Sequence, residues 1–256
     1  VAGFSNTMKT LTAHPVKCAA RLAALGLLCA TLPGCQSIDV GAQNVTQVRV
    51  IDASPDAPGL DVYQNNSAIA YNLGFGTVTS YVPLAPGTYT LSADQASTKS
   101  VLVTAKAGLA LGKTYTMLVG NVAANLQETI LQDQNSPAPT GQIQVRFLDQ
   151  ATRVGAVDIY LVPSSGKLTT TAPFLTNINF GTNTGYVNAP AGTYAIAVVP
   201  AGTVPVTTTV TLLTGAQVGY SAGAVRTVVL IDQQITTTPG VQAVVASDYD
   251  SASAAG

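Results

Sequence analysis

The stretch VRVIDASPDAPGLDVYQNNSAIAYNLGFGTVTSYVPLAPGTY, running from Val48 to Tyr89, decides the fold. Val48 to Asp52 is a β-branched apolar run. It is followed by Ser54-Pro55-Asp56-Ala57-Pro58-Gly59, residues that supply a fixed φ, side-chain turn bonds and freedom at positive φ. Leu60 to Tyr63 reads as the next strand, Asn65-Asn66 as a hairpin turn, Ala68 to Leu73 as a strand, Gly74-Phe75-Gly76 as a bend and Val78 to Val82 as a further strand. After the Pro86-Gly87 turn, Thr88 to Ala93 alternates polar and apolar with period two, which puts Tyr89, Leu91 and Ala93 on one inward face. Val101 to Ala105, Lys113 to Gly120 and Leu126 to Asp133 complete seven or eight short strands at the spacing of an antiparallel β-sandwich.

A degenerate copy returns as VRFLDQATRVGAVDIY from Val145 to Tyr160, NFGTNTGYV from Asn179 to Val187 and APAGTY from Ala189 to Tyr194. Here Tyr194, Ile196 and Val198 take the inward face. Tyr186 repeats Tyr81, Tyr220 aligns with Tyr115, and Leu230 to Asp232 aligns with Leu131 to Asp133. Repetition at this period predicts an all-β chain with two tandem immunoglobulin-like antiparallel β-sandwich domains, 48–133 and 142–250. The Pro- and Gly-containing segment 134–141 joins them, and 251–256 reads as a frayed tail.

Upstream, Lys9, Lys17 and Arg21 precede the apolar run Leu22 to Leu32, the pattern of an export signal over residues 1–34 in which Met8 would serve as the start. The run is about half the roughly 20 residues that span a bilayer. It ends in Leu32-Pro33-Gly34-Cys35, which resembles a bacterial lipobox, and this resemblance implies a lipidated Cys35 as the mature N-terminus. Cys18 and Cys29 would leave with the signal, so the mature chain would hold no internal disulfide. Diacylglycerol plus an N-acyl chain would anchor the protein stably. Residues 36–47 would form a tether of at most roughly 40 Å, and Gln36 in place of Asp resembles the outer-membrane sorting pattern of Gram-negative bacteria.

Composition narrows the function. Charged residues make up 9% of the chain and the net charge is −1, so no basic face recruits nucleic acid. The single histidine, His14, lies in the export segment, which leaves the mature chain without an imidazole for a triad, a zinc site or ordinary base chemistry. Glu128 is the only glutamate, and the Gly-containing turns lack the helix and lysine of a phosphate loop. No catalytic residue, cofactor or confident metal site follows from the sequence, and a non-enzyme is expected.

VRVIDASPDAPGLDVY followed by NLGFGTVTSYVPLAPGTYTL resembles the bacterial family catalogued as domain of unknown function 4397 (DUF4397), whose members occur in cell-envelope and secreted proteins, often as tandem copies. The second copy departs from the pattern, with Ala151-Thr152-Arg153-Val154-Gly155 where the first has Ser54-Pro55-Asp56-Ala57-Pro58. The resemblance implies an envelope location and offers no activity to carry over.

Two sets of side chains are candidates for binding. Asp52, Asp56 and Asp61 flank the Ser54–Gly59 turn and could supply oxygen ligands to Ca²⁺, while the competing reading makes them acceptors for turn N–H groups. Asp52 and Asp61 recur as Asp149 and Asp158, which favours a role in the fold. Tyr71, Tyr81 and Tyr186 could form an exposed platform for a glycan, against the alternative that strand tyrosines pack in the core. The expected function is that of a lipid-anchored envelope protein with a structural or protein-interaction role. The alternative is a glycan- or Ca²⁺-binding module that uses the Ser54–Gly59 loop.

Overall fold

The computed structural model describes residues 44–233 and 239–250. The expected export segment, Cys35 and the tail after Asp250 lie outside the described residues. Among the described residues no helix is long and apolar enough to cross a membrane.

The first sandwich is built from β1 (Thr46–Asp52), β2 (Leu60–Gln64), β3 (Ser67–Leu73), β4 (Val82–Leu84), β5 (Gly87–Gln95), β6 (Ser100–Leu109), β7 (Thr114–Gly120) and β8 (Gln127–Asp133). Its sheets run β4-β1-β7-β8 and β3-β2-β5-β6. Between them lie Val48, Val50, Leu60, Val62, Leu91, Met117 and Val119, all buried. The alternation read in Thr88 to Ala93 is realised, with Leu91 and Ala93 buried and Tyr89 packed beside them. The hydroxyl of Tyr89 donates to the Ala85 carbonyl at 2.8 Å, and Tyr194 repeats the clasp on Pro190 at 3.0 Å.

The second sandwich comprises β9 (Gln142–Asp149), β10 (Val157–Pro163), β11 (Leu175–Ile178), β12 (Asn183–Pro190), β13 (Gly192–Pro200), β14 (Leu213–Thr214), β15 (Val218–Tyr220), β16 (Val225–Asp232) and β17 (Val241–Tyr249). They form the sheets β12-β9-β16-β17 and β11-β10-β13-β14, with β15 also paired to β13. Ile143, Val145, Phe147, Ile159, Ile196, Val198 and Leu230 fill its core.

Each sandwich departs from a purely antiparallel plan in one pairing: β1 with β7, and β9 with β16, are parallel. The chain crosses into the opposite sheet before it returns to pair with its first strand, and a parallel pair needs such a crossover. Strand direction leaves no mark on an alternation pattern. The register also corrects the internal alignment. Arg49 lies opposite Thr116 and Arg146 opposite Thr227, so Arg226 takes the place of Tyr115, and Leu230 matches Val119 rather than Leu131. The expected strand at Val78 to Val82 shrinks to β4 and an isolated bridge from Val78 to Ile51.

The β4-β1-β7-β8 sheet is covered on both faces. On β1, Val48 and Val50 point into their own sandwich, while Ile51 joins a further core with Leu118, Leu148, Val229, Ile231 and Ala246, contributed by both sandwiches. All of β7 is buried for this reason, which is the usual situation of strands packed on two sides. The sheets therefore stack in four layers. Segment 134–141 fastens this arrangement: Gln134 N–H donates to Tyr186 Oη at 3.1 Å, Asn135 Nδ2 to the Gly112 carbonyl at 2.8 Å, and the buried Ala138 N–H to the Gly223 carbonyl at 3.0 Å.

Candidate functional site

The core shared by the sandwiches contains a set of charged groups. Arg49 on β1 donates through Nε to Thr116 Oγ1 at 2.8 Å, through Nη1 to the Ser247 carbonyl at 2.8 Å, and through Nη2 to Asp248 Oδ1. Arg146 on β9 donates through Nη2 to Asp133 Oδ1 at 2.6 Å and to Thr227 Oγ1 at 2.8 Å. The threonine hydroxyls pass the bond onward at 2.7 Å, Thr116 to Asp133 Oδ2 and Thr227 to Asp248 Oδ2. Tyr81 donates to Asp133 at 2.7 Å and Tyr186 to Asp248 at 2.9 Å, and each ring also faces an arginine, 4.8 Å from Arg49 and 4.7 Å from Arg146.

Exchanging Arg49 with Arg146, Thr116 with Thr227, Asp133 with Asp248 and Tyr81 with Tyr186 reproduces the same bonds. Each arginine reaches across to the carboxylate of the other sandwich, the crosswise pattern of an isologous two-fold interface. Two cations and two anions balance, and all four side chains are at most 3% exposed. Burial works against the charge on Arg49, but Asp248 and Asp133 hold its pKa above the ordinary value. Burial raises the pKa of Asp248 despite Arg49, and burial likewise pushes the Tyr81 and Tyr186 hydroxyls up. The tyrosine hydroxyls and carboxylates are engaged with one another, so this site joins the sandwiches rather than presenting a nucleophile.

The aspartates flanking the first turn do not converge. Asp52 Oδ1 accepts the Ser54 N–H at 3.0 Å, Asp56 Oδ1 accepts the Ala123 N–H at 2.7 Å, and Asp61 accepts the Asn72 and Ser97 N–H groups at 2.8 and 3.2 Å. Among the described residues no three His, Cys, Asp or Glu side chains gather to hold a metal ion. The expected Ca²⁺ set is therefore not assembled; each of the three carboxylates is turned to a different backbone N–H group. The second copy repeats the pattern, with Asp149 accepting from Ala151 and Asp158 from Asn177 and Gly202. Burial pushes both Asp52 and Asp149 up to about 6, with their single backbone bonds opposing it.

The tyrosines separate as well. Tyr81 and Tyr186 sit half-buried in the joint, whereas Tyr71 is 69% exposed on β3 and meets Tyr63 edge to face. These three rings form no common platform, because Tyr81, just before β4, and Tyr186, on β12, lie at the inner sheets and Tyr71 lies on an outer one.

The Ser54–Gly59 turn does reach a cleft. Pro55, Asp56 and Val122 of the first sandwich and Thr152, Arg153, Asp232 and Gln233 of the second line an open space of about 480 Å³. Asp232 shapes its far wall by accepting from Thr152 N–H at 2.9 Å, Thr152 Oγ1 at 2.6 Å and Arg153 N–H at 3.0 Å. The Arg153 side chain, 41% exposed, lies with Nε 3.7 Å from Asp232 and donates to the Gln233 carbonyl. The turn and its counterpart Ala151–Gly155 thus face one opening, across the joint.

Sequence reasoning missed Arg49, Arg146, Thr116, Thr227, Asp133 and Asp248. A signal was available: an arginine stands at the same place in both copies, within apolar strands, VRV and VRF.

Residues 46–160 match the family model described as Domain of unknown function (DUF4397), a span that covers the first sandwich and continues into β10. No curated relative matches the sequence. Among solved structures, the chain is similar to one titled "Alpha-glucan binding by a streptococcal virulence factor", at 10% identity over 72% of this chain and 92% of that one, with a TM-score of 0.25. A second is the family 26 carbohydrate-binding module CBMbc of Eubacterium rectale Amy13K in complex with maltoheptaose, at 10% identity over 79% and 96%, with a TM-score of 0.23. A third is the product complex of the pneumococcal glycogen-degrading virulence factor SpuA, at 11% identity over 73% and 21%, with a TM-score of 0.26. TM-scores this low are no basis for a shared fold or ligand.

Proposed function

We propose, with the match of residues 46–160 to the DUF4397 family model in support, that this is a lipid-tethered cell-envelope protein whose joined β-sandwiches act as one rigid protein-interaction module. The crosswise network of Arg49, Asp248, Arg146 and Asp133 carries the reading. Charges buried on both sides of the joint hold the sandwiches in one orientation, so loops from both can meet a partner as a single surface. The basic and apolar pattern of residues 9–32, followed by Leu32-Pro33-Gly34-Cys35, supports the tether. The absence of a histidine downstream of His14 supports a binding role without a catalytic step.

The test has two arms. Cys35→Ala moves the protein from the membrane to the soluble fraction, and unchanged membrane association counts against the tether. A photo-crosslinker at Val122, on the rim of the cleft, captures one defined envelope protein in intact cells; capture of none sinks the interaction reading.

A second reading, a glycan held in the cleft, is favoured by its size, which falls in the range of small-ligand sites, and by the polar edges of Asp56, Arg153 and Asp232. Retention of the chain on a glycan panel supports it, and no retention removes it.

A further inference from the structure

The outer faces of the two outer sheets differ where the sequence repeats. In the second sandwich Tyr160, Val162, Ala197 and Val199 form a closed apolar cluster with Leu168, which arrives on the long connection 164–174 between β10 and β11. In the first sandwich the corresponding connection is the two-residue turn Asn65-Asn66, and β5 joins β6 through 96–99 where the second copy has 201–212. The equivalent face is left without such a cover.

Its residues have changed accordingly. Asp61 lies opposite Asp94 across β2 and β5, whereas Asp158 lies opposite Val199. Tyr63 is half-buried and Tyr71 is 69% exposed, with ring centroids 6.4 Å apart and planes at 88°, so the two rings form a corner. Like charges directly opposite one another in a sheet are destabilising, and Val199 shows that the fold does not require the second carboxylate. Asp94 is 7% exposed, and its Oδ1 is buried with no hydrogen-bond partner. Among the described residues the ion pairs are made by Arg49, Arg146, Arg153 and Arg226, and none of them includes Asp61 or Asp94.

We propose that this face binds a primary ammonium group on an aliphatic chain, such as a lysine side chain offers, with Asp94 and Asp61 supplying the charge and Tyr63 and Tyr71 the ring contacts. The ammonium group offsets the paired negative charges at the Asp94 carboxylate, and the aromatic faces attract the cation and its methylenes. Burial and then the charge of Asp61, with Asp94 contributing, raise the pKa of the Tyr63 hydroxyl, which places these groups within one field. A neutral sugar would leave the two carboxylates uncompensated, and the described residues provide no third carboxylate for a metal ion. The site goes beyond the interaction role proposed above; it depends neither on the tether nor on the cleft.

The experiment titrates the full chain with n-butylammonium chloride and follows the backbone amides of residues 61–63 and 92–94 by NMR. Saturable shifts with butylammonium and none with n-butanol are expected. Asp94→Asn should weaken binding about tenfold or more, as loss of a charge-assisted bond implies. Asp94→Val should abolish binding while leaving the melting temperature unchanged or higher. No saturable shift, an equal response to butanol, or binding that survives both variants overturns the proposal. Saturation by calcium chloride or a maltooligosaccharide without saturation by butylammonium overturns it too. Where Asp94→Val does not fold, Asp94→Asn alone decides.

Discussion

Arg49, in the first sandwich, donates to the buried carboxylate of Asp248, in the second, 199 residues away in sequence. Arg146 makes the reciprocal bond to Asp133. The joint between the repeats is thus built twice from the same parts, and neither sandwich can part from the other without exposing buried charge to imperfect pairing.

Removing one partner of a buried pair leaves the other charge uncompensated, which typically costs about 3–5 kcal/mol. Arg49→Ala should lower stability by about 3 kcal/mol in urea unfolding. The double variant Arg49→Ala/Asp248→Ala should lose less than the sum of the single variants, because the groups share one network. Additive losses would show that the bond carries no coupling.

Cleavage of the connection should not separate the halves. A protease site introduced between Ser136 and Pro137 and then cut should leave both fragments eluting together, with a single melting transition. Separate elution of the fragments in physiological buffer would mean that the shared core around Ile51, Leu118, Leu148 and Val229 is too weak to act as a joint.

Asp52 and Asp149 should make the parent protein less stable as pH rises. Burial raises both to about 6, so between about pH 4 and pH 6 the folded chain binds more protons than the unfolded one. Stability from these groups therefore falls through that window and levels off above it. Asp52→Asn and Asp149→Asn keep an acceptor for the Ser54 and Ala151 N–H groups. Relative to the parent, their stability should be close to equal near pH 4 and higher by up to about 3 kcal/mol each at pH 7. A gain that is constant across pH would exclude this origin.

Arg153→Ala separates folding from binding at the cleft. Its bonds are partly exposed, so the stability change should stay within about 1 kcal/mol. Capture of the envelope partner through the crosslinker at Val122 should fall sharply if the cleft is the contact surface, and unchanged capture would place that surface elsewhere.

Much of the fold was legible in the chain. Period-two alternation in Thr88 to Ala93, turn residues at Ser54 to Gly59 and the return of the whole pattern at Val145 identified strands, turns and two copies, because these are local properties of the backbone. The recurrence of Asp52 and Asp61 as Asp149 and Asp158 likewise marked them as turn acceptors. Strand direction and register were not legible. Tyr115 and Tyr220 are the same residue type in similar surroundings, yet hydrogen bonding places Arg226, not Tyr220, at the position of Tyr115.

By itself, then, the sequence determined two copies of a β-sandwich, with their turns and their inward faces, since alternation and turn chemistry act over a few residues. Only the tertiary structure decided that the outward residues of β1, β7, β9 and β16 are not outward at all. Arg49, Ile51, Arg146 and Leu148 reveal their role when one sandwich covers the other, because burial and charge compensation across hundreds of residues depend on which faces meet. The same cause separates Tyr81 and Tyr186 from Tyr71: the first two lie in that joint, and the third stands on an outer sheet.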